Sequence, residues 1–256
     1  MEPHPLTFPA MILAAGRGER MRPLTDHTPK PLLAVRGKPL MQRAMEGLAR
    51  GGFTDLVVNT AWLGEQISDH FGPVCNLDGL EKLSNPEQTS TQGTVNIRYS
   101  HEGRDFGAAL ETAGGIARAL PLLGEAFWVL AGDVYAPDFV FSSASVERFR
   151  VNGKLAHLWL VRNPAHNLKG DFGLTADGAV LNQADAMFTY STYGLYRSTL
   201  FAQPWCDIPS GNPEGRKAAL APLLRAAIAQ GAVSGELYKG AWTDVGTPER
   251  LAALNR

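Results

Sequence analysis

A glycine-rich turn with several cations lies near the N-terminus of this 256-residue chain. It follows the apolar run 11–15, and its glycines let backbone N–H groups approach an anion without obstruction by Cβ atoms. Arginines in the same turn supply charge for phosphate oxygens. The turn therefore predicts a polyphosphate cradle, with a tight strand-to-helix turn and a solvated charge run as the alternative. Its glycines and arginines are Gly16, Arg17, Gly18, Arg20 and Arg22.

Other glycine-rich nucleotide motifs are excluded. Met21 stands where a dinucleotide fingerprint requires its third glycine, and no G-x-x-x-x-G-K-[ST] pattern occurs in the chain. Lys30 follows between Pro29 and Pro31. Because proline fixes φ and restricts the residue before it, we expect an extended segment that presents the Lys30 ammonium from a stiff backbone. A solvent-exposed loop lysine is the alternative, and the neighbouring glycine turn favours a functional role.

Two aspartates are candidate metal ligands. Asp133 follows the apolar run 127–131 and Gly132, and Asp244 ends a second short apolar segment. Open α/β sheets bind ligands at the carboxyl ends of their strands. A divalent cation held by carboxylates offsets the repulsion between two anionic phosphates. Taken alone, each aspartate is better explained as a cap of the turn that follows it.

The glycine turn and the lysine segment together match one longer motif. The pattern L-A-A-G-x-G-x-R-x-x-P-L-T, followed by x-x-x-P-K-P-L, resembles the signature of the sugar-1-phosphate nucleotidyltransferases, and both halves are intact. The similarity extends through most of the chain. Further matching strings are A-W-L-G at 61–64, L-E-T-A-G-G at 110–115, G-D-V at 132–134, N-P at 163–164, G-D-F at 170–172, L-A-P-L-L at 220–224 and W-T-D-V-G-T at 242–247.

The resemblance implies an enzyme that transfers a nucleoside monophosphate from a nucleoside triphosphate to a sugar 1-phosphate and releases pyrophosphate. It implies a Rossmann-like, GT-A-like α/β fold with a mostly parallel mixed sheet and helices on both faces. The implied cofactor is Mg²⁺, with Asp133 and Asp244 as ligands. The attacking phosphate needs no protein base, since the second pKa of a phosphate monoester is about 6. The six histidines show no metal-ligand spacing, and His166 lies in a stretch similar to the family's.

The resemblance also assigns roles to individual positions. Arg20 and the turn backbone grip the triphosphate, Lys30 stabilises charge on the α-phosphate, and Asp133 holds the metal that both phosphates approach. These three side chains form the implied catalytic set. The implied nucleotide-binding residues are Leu13, Ala14, Ala15, Gly16, Arg17, Gly18, Glu111, Thr112 and Gly114, and the implied sugar-phosphate-binding residues are Asn163, Asp171 and Glu236.

The L-E-T string at 110–112 bears on the substrates. It resembles uridylyltransferases that act on N-acetylmuramate α-1-phosphate in peptidoglycan recycling, whereas mannose-1-phosphate guanylyltransferases show L-G-T there. The resemblance thus implies UTP and this sugar phosphate. A mannose-1-phosphate guanylyltransferase and a glucose-1-phosphate thymidylyl- or uridylyltransferase are alternatives. A catalytically silent nucleotide-sugar sensor is an alternative of another class, which the presence of Arg20, Lys30, Asp133 and Asp244 disfavours.

Strand and helix patterns alternate in the first half, which predicts a parallel sheet with right-handed crossovers. Buried strands are predicted at 11–15, 55–59, 95–99 and 127–131, and helices at 40–49, 63–71 and 112–120. The polar stretch 75–94 is predicted to be a surface loop, and 103–109 is an insertion before the L-E-T string. In the second half, strands are predicted at 156–161, 190–196, 233–237 and 242–245, a hairpin at 172–181 and a helix at 217–230.

The composition fits one catalytic domain over 1–256, with a nucleotide-binding part at about 9–135 and a sugar-phosphate-binding part at about 136–256. Twenty-four basic and 25 acidic residues give a net charge of −1, so no basic field predicts binding to nucleic acid or to an anionic membrane. Two distant cysteines suggest neither a zinc knuckle nor a disulfide framework. With no signal peptide or membrane span evident, we expect a cytoplasmic protein, and the absence of a C-terminal extension favours a monomer.

Overall fold

The computed structural model describes residues 8–77, 81–82 and 93–256. The strands are numbered in the order in which they occur along the chain. They are β1 (Ala10–Leu13), β2 (Ala34–Val35), β3 (Lys38–Pro39), β4 (Asp55–Thr60), β5 (Val74–Asn76), β6 (Glu81–Lys82), β7 (Thr94–His101), β8 (Ala126–Ala131), β9 (Val134–Tyr135), β10 (Ala156–Val161), β11 (Phe172–Leu174), β12 (Val180–Leu181), β13 (Met187–Arg197), β14 (Val233–Leu237) and β15 (Thr243–Asp244).

The strands form one 11-stranded sheet and two two-stranded sheets, and helices alternate with them along the chain. The helices are α1 (Leu40–Arg50), α2 (Gly64–Phe71), α3 (Glu102–Phe106), α4 (Glu111–Leu123), α5 (Ser143–Val151), α6 (Leu220–Ala229) and α7 (Pro248–Leu254). None of the helices in the described part of the chain has both the length and the apolar character needed to cross a membrane.

The sheet has a parallel centre, in the order β8-β1-β4-β7. On one side β13 pairs antiparallel with β8 and also pairs with β10 and β11, and β14 runs parallel to β10. On the other side β5 and β6 are added antiparallel. The carboxyl ends of the parallel strands therefore lie along one edge, and the mixed, Rossmann-like α/β sheet that the sequence predicts is confirmed.

Two hydrophobic cores hold helices against the two faces. Ile12 of β1 packs into the core with α1, whereas its neighbour Met11 packs into the core with α4 and α6, and neither residue is exposed to solvent. Neighbouring strand residues point to opposite faces, so a strand covered on both faces must be apolar throughout. The run that begins at Met11 therefore forms a central strand, and the turn after it opens at the sheet edge.

Some predicted elements differ from the structure. The helix predicted at 217–230 is wrong at its start, because Ala218 instead pairs with the start of α4: its N–H donates to Leu110 O, and its oxygen accepts from Ala113 N–H. The sequence analysis missed α5 and α7. Both are short, and α7 lies in the ten residues after Gly246, with no buried residue of its own.

The segment predicted to be a surface loop and the insertion 103–109 both contain regular structure. The stretch 75–94 includes parts of β5 and β7 as well as β6, so a loop over its full length is wrong; its residues 78–80 and 83–92 lie outside the described ranges. The insertion 103–109 includes most of α3. Its backbone passes tightly over Ala61, the residue that follows β4, since a Cβ on Gly103 would lie 2.6 Å from Ala61 O.

Candidate active site

The glycine-rich turn after β1 is closed by its own side chains. Gly18 has a φ of +69°, and the Thr25 hydroxyl donates to Gly18 O at 2.8 Å. Arg17 donates to Thr25 O at 2.8 Å and to Asp26 Oδ1 at 3.0 Å. The guanidinium of Arg17 holds the pKa of Asp26 below its ordinary value, so the carboxylate stays charged as its partner. Arg17 therefore shapes the turn, with much of its hydrogen-bonding capacity used internally.

Trp62 contacts this turn at two points. The Arg17 guanidinium lies 3.6 Å from the centre of the Trp62 ring, and the indole N–H donates to Thr25 O at 2.9 Å. A cation over an aromatic face gains electrostatic attraction, and the indole bond fixes the loop at a second point. The A-W-L-G string, which includes Trp62, thus positions the cation-bearing turn.

A buried polar network links the same turn to the start of α4. Ala14 N–H donates to Asn59 Oδ1 at 2.9 Å, and Asn59 Nδ2 donates to Glu102 Oε1 at 2.7 Å. The second Glu102 oxygen accepts the Leu110 N–H at 2.7 Å. Glu102 has no solvent exposure, and burial raises its pKa. Neither Asn59 nor Glu102 was predicted from the sequence to be a site residue. The Ala14 N–H, which was expected to face the triphosphate, instead donates to Asn59.

Lys30 and Asp133 form an ion pair at the sheet edge. Lys30 begins a short 3-10 helix, Lys30–Leu32, so the prediction of an extended segment is wrong at Lys30 itself. Pro29 before it is extended, as expected for a residue ahead of a turn. The turn, bonded from Leu32 N–H to Pro29 O at 2.9 Å, directs the ammonium toward the end of β8.

Strand pairing brings the two candidate metal ligands together. β15 pairs antiparallel with β9, which places Asp244 opposite Val134, the residue after Asp133. Val245 N–H also donates to Asp133 O at 2.9 Å. Mg²⁺ is commonly bound by one or two carboxylates together with water and substrate phosphates, so this pair of oxygen donors fits it. The described residues contain no group of three or more His, Cys, Asp or Glu side chains arranged as a metal site.

Asp244 lies beside an arginine and a histidine. Arg250 Nη1 lies 2.5 Å and His166 Nε2 lies 3.0 Å from Asp244 Oδ1. A Cβ on Gly246 would lie 3.1 Å from Arg20 Nη2 and 2.9 Å from Arg250 Nη2, which shows that both guanidinium groups crowd this point. The sequence analysis missed Arg250, although it stands three residues after the matched W-T-D-V-G-T string.

A cavity of about 580 Å³ is lined by Leu13, the last residue of β1, whereas Lys30, Asp133 and Asp244 lie outside its lining. It brings together four of the residues assigned from sequence: Leu13, Glu111, Thr112 and Asp171. Gly114 lies outside this lining, because it packs under Ala218, to whose oxygen its N–H donates at 3.1 Å.

Two residues in this lining adopt backbone conformations that side chains disfavour. Glu111 has a φ of +59° and Thr192 a φ of +70°. Thr192 lies where the pairing of β13 with β10 is irregular, and its buried hydroxyl has no hydrogen-bond partner in the described structure. Strained residues and unsatisfied buried polar atoms are concentrated at functional sites. Thr192 is therefore a candidate site residue that the sequence pattern did not reveal.

The three expected sugar-phosphate residues have different surroundings. Asp171 lines the cavity and accepts the Tyr190 N–H at 2.8 Å. Asn163 is used internally, donating to Leu168 O and Met187 O at 3.1 and 3.0 Å. Glu236 lies outside the cavity lining and accepts the Trp159 indole N–H at 2.5 Å. Only Asp171 of the three therefore borders the cavity.

The site thus combines a rigid glycine-rich turn, a lysine, two neighbouring carboxylates and a large cavity at the carboxyl edge of a parallel sheet. Such a set of groups binds polyphosphate and stabilises charge on a phosphoryl group in transfer. The fold and site define a phosphoryl- or nucleotidyl-transfer enzyme.

Comparison with known proteins makes the class specific. Residues 9–177 match the family model described as Nucleotidyl transferase, and the chain belongs to this family. It is 48% identical over 94% of its length to N-acetylmuramate alpha-1-phosphate uridylyltransferase of Neisseria meningitidis serogroup B, and covers 94% of that protein. Identity to the protein of the same name from Caulobacter vibrioides is 31%, over 96% of each chain. The protein is thus a nucleotidyltransferase of the kind that makes nucleotide sugars.

Solved structures share the fold. A Bacillus anthracis structure assigned as a glucose-1-phosphate thymidylyltransferase superposes with a TM-score of 0.70 at 20% identity, covering 96% of this chain and 93% of that one. HddC from Yersinia pseudotuberculosis gives a TM-score of 0.67 at 17% identity, over 96% and 97% of the two chains. These similarities support the assignment of the architecture.

Proposed function

We propose that this protein transfers the uridylyl group of UTP to N-acetylmuramate α-1-phosphate, forming UDP-N-acetylmuramate and pyrophosphate. The observation that carries the proposal is the convergence of Lys30, Asp133 and Asp244 after the parallel strands β1 and β8, the first of which ends at Leu13 in the lining of the 580 Å³ cavity. The choice of base and sugar is supported by the Neisseria relative, with which nearly half of the aligned residues are identical.

The sugar phosphate is the nucleophile. Its phosphate is largely dianionic at neutral pH, because the second pKa of a phosphate monoester is about 6. One of its oxygens attacks the α-phosphorus of UTP, a new P–O bond forms, and the bond to the leaving pyrophosphate breaks. No proton must be removed by the protein, so positioning and charge stabilisation carry the catalysis.

Lys30 and Arg20 supply fixed positive charge for this step. Lys30 is directed toward the end of β8 by its 3-10 turn, and Arg20 lies near Gly246 beside Asp244. We assign Lys30 to the α-phosphate and Arg20 to the triphosphate. The backbone of the turn would hold the remaining phosphate oxygens, with Arg17 keeping the turn closed.

Asp133 and Asp244 would hold Mg²⁺. A divalent cation bound there supplies neutralisation of the negative charge that develops on the phosphates. Lys30 pairs with Asp133, and Arg250 pairs with Asp244. Each carboxylate therefore has a neighbouring cation, and the pairing of β15 with β9 holds the two carboxylates near each other.

The cavity would receive the uridine and the sugar. We place the base against Leu13, Glu111 and Thr112, and the sugar near Asp171 and Thr192. This divides the chain into a nucleotide-binding part at about 9–135 and a sugar-phosphate-binding part at about 136–256. We place the reaction in the cytoplasm, as a step that returns a recovered cell-wall sugar to the nucleotide-sugar pool.

A substrate screen tests this proposal. The purified protein and Mg²⁺ would be incubated with each of the four common nucleoside triphosphates and with the 1-phosphates of N-acetylmuramate, N-acetylglucosamine, glucose and mannose. We expect pyrophosphate release to be fastest with UTP and N-acetylmuramate α-1-phosphate. Faster release with GTP and mannose 1-phosphate, or with dTTP and glucose 1-phosphate, would contradict the assignment. UTP-dependent thermal stabilisation without turnover would instead indicate a sensor.

A further inference from the structure

A second, smaller cavity lies at the ends of two neighbouring parallel strands. It has a volume of about 390 Å³, and its lining includes Arg162, Tyr238, Lys239 and Trp242. Arg162 directly follows β10, and Lys239 stands two residues after β14, which runs parallel to β10. Both cations therefore emerge at the carboxyl ends of parallel strands, where α/β sheets bind ligands.

The charges of this cavity are not balanced by the protein. The lining contains no Asp or Glu. Across the described residues, no hydrogen bond or ion pair of the Arg162 or Lys239 side chain is found, whereas Arg17, Arg250 and Lys30 each have a carboxylate partner. Two cations that share a concave surface without a counter-ion favour an anionic ligand.

The aromatic walls of the cavity are held in place. The Trp242 indole N–H donates to Ser191 O at 3.1 Å. The Tyr238 ring meets Phe139 edge-on at 5.3 Å, and Tyr238 N–H donates to Leu160 O at 2.8 Å. These bonds keep both rings in fixed positions. The aromatic side of the cavity is thus preformed, and the two cationic residues of its lining are exposed to solvent.

The cavity adjoins the reaction site at two points. Trp242 precedes Asp244 by two residues along the chain, a separation of about 7 Å in an extended strand. Its bonding partner Ser191 precedes Thr192, which lines the larger cavity. In the proposed binding mode the sugar lies near Asp171 and Thr192 with its phosphate at Asp244, and the bond from Trp242 to Ser191 joins this region to the cavity that Arg162 and Lys239 line.

We propose that Arg162 and Lys239 form a subsite for the carboxylate of the 3-O-lactyl group of the sugar. This inference rests on the proposed function, because N-acetylmuramate differs from N-acetylglucosamine by this lactyl ether. Guanidinium and ammonium groups bind carboxylates through charge-assisted hydrogen bonds. The subsite would thus provide the discrimination between two sugars that are otherwise identical.

The test compares these two sugars with neutral variants of the cations. We expect Arg162→Gln and Lys239→Gln each to lower kcat/KM for N-acetylmuramate α-1-phosphate by at least about tenfold, the loss expected when a charged hydrogen-bond donor is removed. The double variant should lose more. The kcat/KM for N-acetylglucosamine 1-phosphate and the KM for UTP should stay unchanged. Lys169→Gln, an exposed lysine outside the cavity lining, is the matched control and should behave as wild type.

The outcomes separate the two proposals. Wild-type protein that fails with UTP and both sugar phosphates would contradict the proposed function and, with it, the subsite. If the wild-type protein prefers N-acetylmuramate α-1-phosphate and the double variant retains this preference, the subsite alone is overturned. Equal losses for both sugars would also overturn it, since they would indicate a general defect.

Discussion

Lys30 and Asp133 form an ion pair although 103 residues separate them in the chain. The lysine side chain is 12% exposed and the aspartate side chain 31% exposed, so water screens the pair only partly. β1 pairs with β8, and the glycine-rich turn that follows β1 lies against Lys30, since a Cβ on Gly18 would lie 3.4 Å from Lys30 Cβ. The cation that we assign to phosphate oxygens and the carboxylate that we assign to the metal thus form an ion pair with each other.

Removing the lysine should impair turnover much more than folding. We expect Lys30→Met to lower kcat by about 10²–10³-fold, the loss typical of removing one group that stabilises transition-state charge. The melting temperature should change little, because partly exposed ion pairs contribute at most about 1 kcal/mol. Pyrophosphate-release kinetics and thermal melts would measure the two effects. Lys154→Met, at a lysine that bonds Gly231 O, is the control; equal losses in both variants would contradict the role of Lys30.

The glycine-rich turn, Lys30 and Asp133 could be predicted from the sequence because the patterns that indicate them are local. The run from Met11, the glycines of the turn and the Pro29-Lys30-Pro31 segment lie within a short stretch. Asp133 follows an apolar strand, so the topology of a parallel sheet alone places it at the ligand-binding edge. These features depend on backbone periodicity and chain order, which a sequence displays directly.

The missed residues depend on contacts between distant segments. Glu102 is recognisable as a buried acceptor only once Asn59 and Leu110 are placed beside it, and an isolated glutamate is normally read as exposed. Arg250 lies on α7, which is too short for helical periodicity to be detected. Thr192 has a positive φ, which the sequence does not indicate because β-branched residues disfavour that conformation.

Trp62 should affect nucleotide binding through the turn. In Trp62→Ala the platform under Arg17 and the bond to Thr25 O are both lost, so we expect the KM for UTP to rise about tenfold, corresponding to about 1.4 kcal/mol. In Trp62→Phe the ring remains and only the indole donor is lost, so the KM should lie between those of wild type and Trp62→Ala. Steady-state kinetics would show this order. A KM for Trp62→Ala equal to that of wild type would contradict the positioning role.

Glu102 should give a pH-dependent contribution to stability. Burial raises its folded-state pKa above the ordinary 4.5, so between these two values the folded protein binds more protons than the unfolded chain. Stability from this group is therefore fully present below pH 4.5 and is lost as the pH rises through the folded-state pKa. Glu102→Gln removes the titration, and it costs about 1–3 kcal/mol at every pH because one of two acceptors is replaced by a donor.

The free energy of unfolding across this pH range would show the effect. We expect wild type to lose stability relative to Glu102→Gln as the pH rises from 4.5. Glu125→Gln, at an exposed glutamate, is the control and should run parallel to wild type. A constant difference between wild type and Glu102→Gln would show that the carboxyl has the same pKa in both states.

At position 192 a glycine variant should be more stable than an alanine variant, the reverse of the usual order. At its φ of +70° a Cβ costs about 1–2 kcal/mol, whereas glycine adopts this region freely. Thr192→Gly should therefore be about 1 kcal/mol more stable than Thr192→Ala in denaturant unfolding. Both variants lose the unpartnered hydroxyl, so both should raise the KM for the sugar phosphate. Thr192→Ala being the more stable of the two would show that the backbone is unstrained there.

Direct identification of the product tests the central claim. The protein would be incubated with Mg²⁺, UTP and N-acetylmuramate α-1-phosphate, and the phosphorus NMR spectrum and product mass recorded, alongside Asp133→Asn. We predict stoichiometric UDP-N-acetylmuramate and pyrophosphate from wild type, and neither product from Asp133→Asn with an unchanged melting temperature. Absence of the nucleotide sugar from the wild-type reaction, or its formation at the wild-type rate by Asp133→Asn, would contradict the proposal.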